Sequence, residues 1–178
     1  MVLLSKSDAS SGVLQKIRRV ADYQFGIGVG SSLFPDGIVV ALSMGTGRIR
    51  HVYFGGELLA TLRPRDGLFS LTIEGAKRLM GSLGYRRMWV RVQEEAVASV
   101  GKGGDVFARH VVDVDEEIRP REEVAVLDGK DRVVAVGKAM LSGREMRDFR
   151  RGVAVRVRKG WLEKVKKEKE KILGGKGM

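Results

Sequence analysis

Strand-length apolar runs, closed at short intervals by turn residues, recur from residue 37 to residue 158, and such punctuation builds small sheets, not a helical bundle. The runs cover 37–44, 48–54, 57–62, 68–71, 88–92, 106–112, 123–127, 133–140 and 153–158. Gly55-Gly56 is a tight-hairpin signal between the second and third. Asp128-Gly129-Lys130-Asp131 supplies the turn before 133–140.

Helical spacing interrupts this pattern in a few places. Val13, Leu14, Ile17, Val20 and Ala21 share one face over 11–24, and Gly26-Ile27-Gly28-Val29-Gly30 stops that helix. The alternating glycines follow a helix and not a strand, so the context of a dinucleotide loop is missing. Thr72 can cap a second helix carrying Ile73, Ala76, Met80 and Leu83, with Glu74 near its positive end and Gly84 after it. A short helix over 94–100 leads into Gly101-Lys102-Gly103-Gly104-Asp105, and a one-turn helix over 144–149 crosses one end of the second half. The expected fold is α+β: a small N-terminal α+β domain over 1–84, a small β-barrel over 85–163, and a charged tail over 164–178.

Several chemistries are closed to this chain. It has no cysteine and only two histidines, His51 and His110, so thiolate metal sites, disulfides and cysteine nucleophiles are excluded, and a zinc site or Ser-His-Asp triad is disfavoured. Both histidines lie in strand-like runs and read as hydrogen-bonded structural groups. No cofactor or metal is implied. No apolar run reaches the roughly 20 residues of a membrane span, and Met1 to Lys6 is too short for a signal core, which makes the cytoplasm the expected location. The absence of Cys and Asn beside abundant Arg, Glu and Lys suits a thermophile.

The net charge of +11 favours a polyanionic partner. Residues 1–84 carry 10 basic against 6 acidic side chains, and residues 85–178 carry 23 against 16. The excess concentrates late: residues 144–178 hold 13 basic and 5 acidic residues.

Four ordered segments of the second half resemble the PUA domain, an RNA-binding pseudo-barrel found in pseudouridine synthases and archaeosine tRNA-guanine transglycosylases. They are Gly101-Lys102-Gly103-Gly104-Asp105-Val106-Phe107, then 118–126 (IRPREEVAV), 134–139 (VAVGKA) and 151–158 (RGVAVRVR). One departure is Arg121-Glu122 where the family often has Gly-Asp, which changes a turn but not the pattern. The first half, through 46–52 (TGRIRHV) and 60–69 (ATLRPRDGLF), is similar to the domain preceding PUA in archaeal transglycosylases and related archaeosine-synthesis proteins. The catalytic barrel of those enzymes does not fit in the remaining chain and its zinc-site cysteines are absent, so the resemblance implies RNA handling without base exchange.

The expected RNA-binding residues are Lys102, Gly103 and Gly104 in the glycine loop, Arg150, Arg151, Arg156 and Arg158 around the last strand, Arg109, Lys138 and Arg144 beside them, and Arg48 and Arg50 in the first half. Glycine lets backbone N–H groups approach a phosphate, and guanidinium forks suit its oxygens. Each has a plainer alternative: a helix C-cap with a solvated lysine, or a charged face that is only solvated. Arg48, Arg50, Arg63 and Arg65 read more readily as paired surface charges. Trp89, between Arg87 and Arg91, could stack a base or pack, and Phe25, Phe54, Phe69 and Phe107 sit among apolar neighbours, so no stacking platform is expected. The chain is thus expected to be a non-catalytic protein binding tRNA or other structured RNA, as a recognition module for a modification enzyme or the ribosome. The alternatives are a protein-interaction subunit with incidental RNA contact, and a small RNA-acting enzyme using carboxylates such as Asp113 and Asp115.

Overall fold

The computed structural model describes residues 4–82 and 84–163. Leu83 and the charged tail over 164–178 lie outside the described residues. The chain divides into two compact units, one ending at Tyr85 and the other beginning at Arg86.

In the first unit, β1 (Leu4–Asp8), β2 (Val39–Ser43), β3 (Ile49–Phe54), β4 (Glu57–Leu62) and β5 (Phe69–Leu71) form one antiparallel sheet in chain order. Helices α1 (Ser11–Phe25), α2 (Val29–Leu33) and α3 (Ile73–Met80) bury Ile17, Ala21, Phe25, Leu33, Ala76 and Leu79 in a core with Val40, Val52, Ala60 and Leu71. Phe34 packs on Phe69 with ring centroids 4.9 Å apart. The Thr72 hydroxyl caps α3 by accepting from Gly75 N at 3.1 Å. Two elements were not expected: β1, whose polar residues show no strand alternation, and α2, which starts after left-handed Gly28 inside the glycine run.

The second unit has a six-stranded sheet in the order β7-β11-β10-β9-β6-β8, formed by β6 (Trp89–Val92), β7 (Val106–Phe107), β8 (Val111–Val114), β9 (Glu123–Leu127), β10 (Val133–Ala139) and β11 (Val153–Gly160). Only β6 and β9 run parallel. The expected single strand over 106–112 is instead β7, a 3-10 turn at Ala108–His110, and β8. Since β7 and β8 occupy opposite edges, a connector spanning about 6 Å compels the sheet to curl until its edges meet. That closure is the pseudo-barrel.

Val90, Val92, Val124, Val126 and Val155 are buried on one face of this sheet and fill its interior. Helix α4 (Glu94–Gly101) packs against β10 and β11, and α5 (Gly143–Asp148) packs on β8 behind a capping box of Ser142 and Glu145. Arg121 takes the left-handed conformation at φ 77° and donates its N–H to Ala139 O at 2.8 Å, so the turn survives without glycine.

Candidate nucleic-acid interface

Strand β11 organises the cations of the second unit. Arg150 and Arg151 are exposed at its entry, Arg156 is exposed along it, and its eight residues extend over roughly 26 Å. Lys138 on β10 stands directly opposite Arg156. Glu123 on β9 is the other register partner of Lys138, so the row runs Arg156, Lys138, Glu123.

At the β11 entry, Ala108 N donates to Gly152 O at 3.0 Å and Phe107 pairs with Val153, which brings Arg109 beside the Arg151 turn. Phe107 is 44% exposed, with the Arg109 guanidinium 5.7 Å above its ring. This corrects the reading of Phe107 as packed: on a two-residue strand Val106 takes the inward position and Phe107 must face out. His110 is hydrogen-bonded, its Nδ1 2.5 Å from Gln93 Nε2 and its Nε2 accepting from Arg109 Nε at 3.2 Å.

At the far end, the glycine loop is welded to the strand. A Cβ on Gly160 would lie 2.1 Å from Gly101 O, and one on Gly101 would lie 2.7 Å from Trp161 Nε1. Asp105 Oδ1 accepts from Val157 N at 2.9 Å. Lys102 is exposed on this fixed loop, with Gly103 left-handed at φ 96°. Lys102, Lys138, Arg109, Arg150, Arg151 and Arg156 therefore belong to one strand and its immediate neighbours.

Other expected residues are placed differently. Arg158 turns its guanidinium to both oxygens of Glu123, whose side chain is 0% exposed. The bulge between Val136 and Gly137 gives this pair its aim, because Arg158 has no partner in the β10 register. Arg144 stands apart on α5, whose Gly143 abuts the backbone of Asp115 and Glu116. Arg48 is exposed in the β2–β3 turn, and Arg50 is half-buried at a bulge with its Nε buried and unpaired. Trp89 is covered by Arg91 at 4.9 Å, which Asp113 and Asp131 hold, and its Nε1 donates to Arg86 O. Asp113 thus serves an ion pair, while Asp115 accepts from Met88 N and Glu117 N.

Among the described residues, no cluster of His, Cys, Asp or Glu could hold a metal ion, and no helix is long and apolar enough to cross a membrane.

Sequence comparison finds two adjoining matches. Residues 15–86 match the patch-forming domain C2 of tRNA-guanine transglycosylase, and residues 88–161 match the PUA domain. The tRNA-guanine(15) transglycosylase of Methanothermobacter thermautotrophicus is 45% identical over 147 residues, covering 83% of this chain and 22% of that protein. The Pyrococcus furiosus enzyme of the same name is 45% identical over 148 residues, covering 83% and 25%. The chain spans about a quarter of the length of these curated relatives. In fold, it is similar to a hypothetical protein from Pyrococcus horikoshii OT3, with a TM-score of 0.70 and 24% identity over 89% of this chain and 99% of that one. A conserved PUA domain protein from Thermoplasma acidophilum gives 0.62 and 22%, covering 88% and 93%.

Proposed function

The chain is a PUA-domain protein whose first half is a C2 domain of the transglycosylase kind, and from that premise we propose that it binds tRNA or another structured RNA without catalysing a reaction. In this reading it is a cytoplasmic recognition module that presents RNA to a separate modification enzyme or to the ribosome. The supporting observation is the line of cations along β11, closed at one end by the Lys102 loop and at the other by Arg109 and Arg151. Exposed arginines on a strand offer guanidinium forks to a phosphate backbone, and each phosphate neutralised releases counterions. Phe107 beneath Arg109 adds one stacking surface.

Binding of bulk tRNA by fluorescence anisotropy over a salt series tests this. The expected result is an affinity that falls steeply with salt, and that Lys102→Glu and Arg151→Glu each lower for many RNA sequences alike. Binding that survives both reversals unchanged removes these residues from the interface.

A second reading, docking to a protein, is favoured by Tyr23 at 85% and Ile27 at 99% exposure, an aromatic side chain in the last turn of α1 and an aliphatic one just after it. A protein contact survives nuclease treatment in a pull-down, and an RNA-bridged one does not. The enzyme reading gains nothing from Asp113 and Asp115, since both are committed within the fold.

A further inference from the structure

Across the sheet of the first unit, Lys6, Ala41, His51, Thr61 and Ser70 form one transverse row, each the register partner of the next. Residues sharing a row point to the same side of a sheet. Lys6 extends past the small Ala41 and places its ammonium 4.1 Å from the Tyr53 ring centroid, beside His51. Arg50 stands next to His51 at the bulge, its buried Nε lacking an acceptor. His51 Nδ1 lies 3.2 Å from Thr61 Oγ1, and Nε2 makes no hydrogen bond among the described residues.

From this geometry we infer a phosphate-binding site on the sheet of the first unit, formed by Lys6, Arg50 and His51 Nε2, in which the imidazolium form of His51 is the ligand. It rests on the RNA-binding reading only for the origin of the phosphate, a backbone phosphodiester.

The charged surroundings support an anion. β1 contributes Lys6 and, in the row of Tyr53, Asp8; β2 contributes no charged residue. β3 contributes Arg50, and the one carboxylate of β4, Glu57, pairs with Phe54 and not with His51. β5 carries no charge of its own, but its Ser70 accepts from Arg63 Nη1 at 3.4 Å, and Arg63 is paired with Asp66. Burial, then Arg50, then Lys6 hold the His51 pKa below its ordinary value. An anion seated between these groups reverses the two repulsions, so it draws a proton onto Nε2. By linkage, the site binds more tightly as pH falls through the His51 titration.

Lys6 lies on β1, the edge strand of this sheet. Without β1, His51 would face water with Arg50 alone.

Proton NMR reads the site directly, because the full chain has only two histidines and the His51→Gln variant assigns their ring signals. Adding inorganic phosphate should move the His51 titration midpoint upward, whereas chloride at matched ionic strength should not. Lys6→Gln, on an exposed edge strand, should abolish the shift while leaving the protein folded. Equal shifts with chloride and phosphate, or a full shift in the Lys6 variant, overturn the site. For tRNA, His51→Gln should remove the extra tightening that wild type gains at low pH. If wild type keeps tRNA affinity but shows no phosphate shift at His51, this site fails and the RNA reading stands. If the shift is present and tRNA does not bind, the site stands and the RNA reading fails.

Discussion

Arg158 on β11 reaches across β10 to bind both oxygens of Glu123 on β9. A fully buried carboxylate is tolerated only with its charge matched, so this contact ties three strands together at the surface's edge. Arg158→Ala should cost about 3 kcal/mol in urea unfolding, the lower part of the range because the arginine is itself 36% exposed. Arg156→Ala, two residues earlier and outward, should cost under about 0.5 kcal/mol and weaken RNA binding instead. Equal stability of the two variants would refute this division of labour.

Arg121 holds φ 77°, a conformation glycine adopts without strain. Arg121→Gly should therefore raise stability by about 0.5 to 1 kcal/mol, the relief of left-handed strain less the entropy glycine adds to the unfolded chain. A lower denaturation midpoint would show that the arginine side chain contributes more than its backbone loses.

The contact of Gly160 with Gly101 leaves no room for a methyl group, since the added Cβ would meet backbone oxygen at 2.1 Å. Gly160→Ala should destabilise by about 1 to 3 kcal/mol, as overpacking does. It should also weaken RNA binding by displacing Lys102. Gly129→Ala, where a Cβ meets open space, is the matched control and should alter neither.

Asp128 is 1% exposed at its side chain. Burial alone would raise its pKa, but the backbone N–H of Arg132, the Arg132 side chain and the Lys130 N–H together hold the carboxyl below its ordinary value. A depressed folded pKa gives stability that is present above the unfolded value, near 3.9, and lost as pH falls through the folded one. Asp128→Asn should be less stable than wild type at neutral pH, and the gap should close on acidification below the usual carboxylate range. Parallel curves down to the acid limit would disprove the role of the charge.

Strand periodicity made most of both sheets readable, because alternation over 49–54, 57–62 and 123–127 reflects one inward face or two. It failed where local pattern was silent. Leu4–Asp8 has one apolar residue and is a strand only because β2 needs an edge partner. Residues 106–112 carry the β-branched and aromatic residues of a strand, yet their middle, Ala108–His110, is a 3-10 turn. For the candidate interface, residue type and loop glycines located Lys102, Arg151 and Arg156. They could not separate Arg156 from Arg158, because the bulge that turns one to solvent and the other to Glu123 is a property of pairing. The row from Lys6 to His51 was equally hidden, since its members are scattered over three strands of the sequence.

Strand β11 lies between β7 and β10, so it is an interior strand that the ribosome delivers after every other strand of its sheet. A nascent chain halted before Val153 would expose two unpaired strand edges and an open hydrophobic wall, the features by which chaperones and aggregating neighbours recognise unfinished proteins. Premature termination or clipping at that turn should yield insoluble product, not a weakened binder.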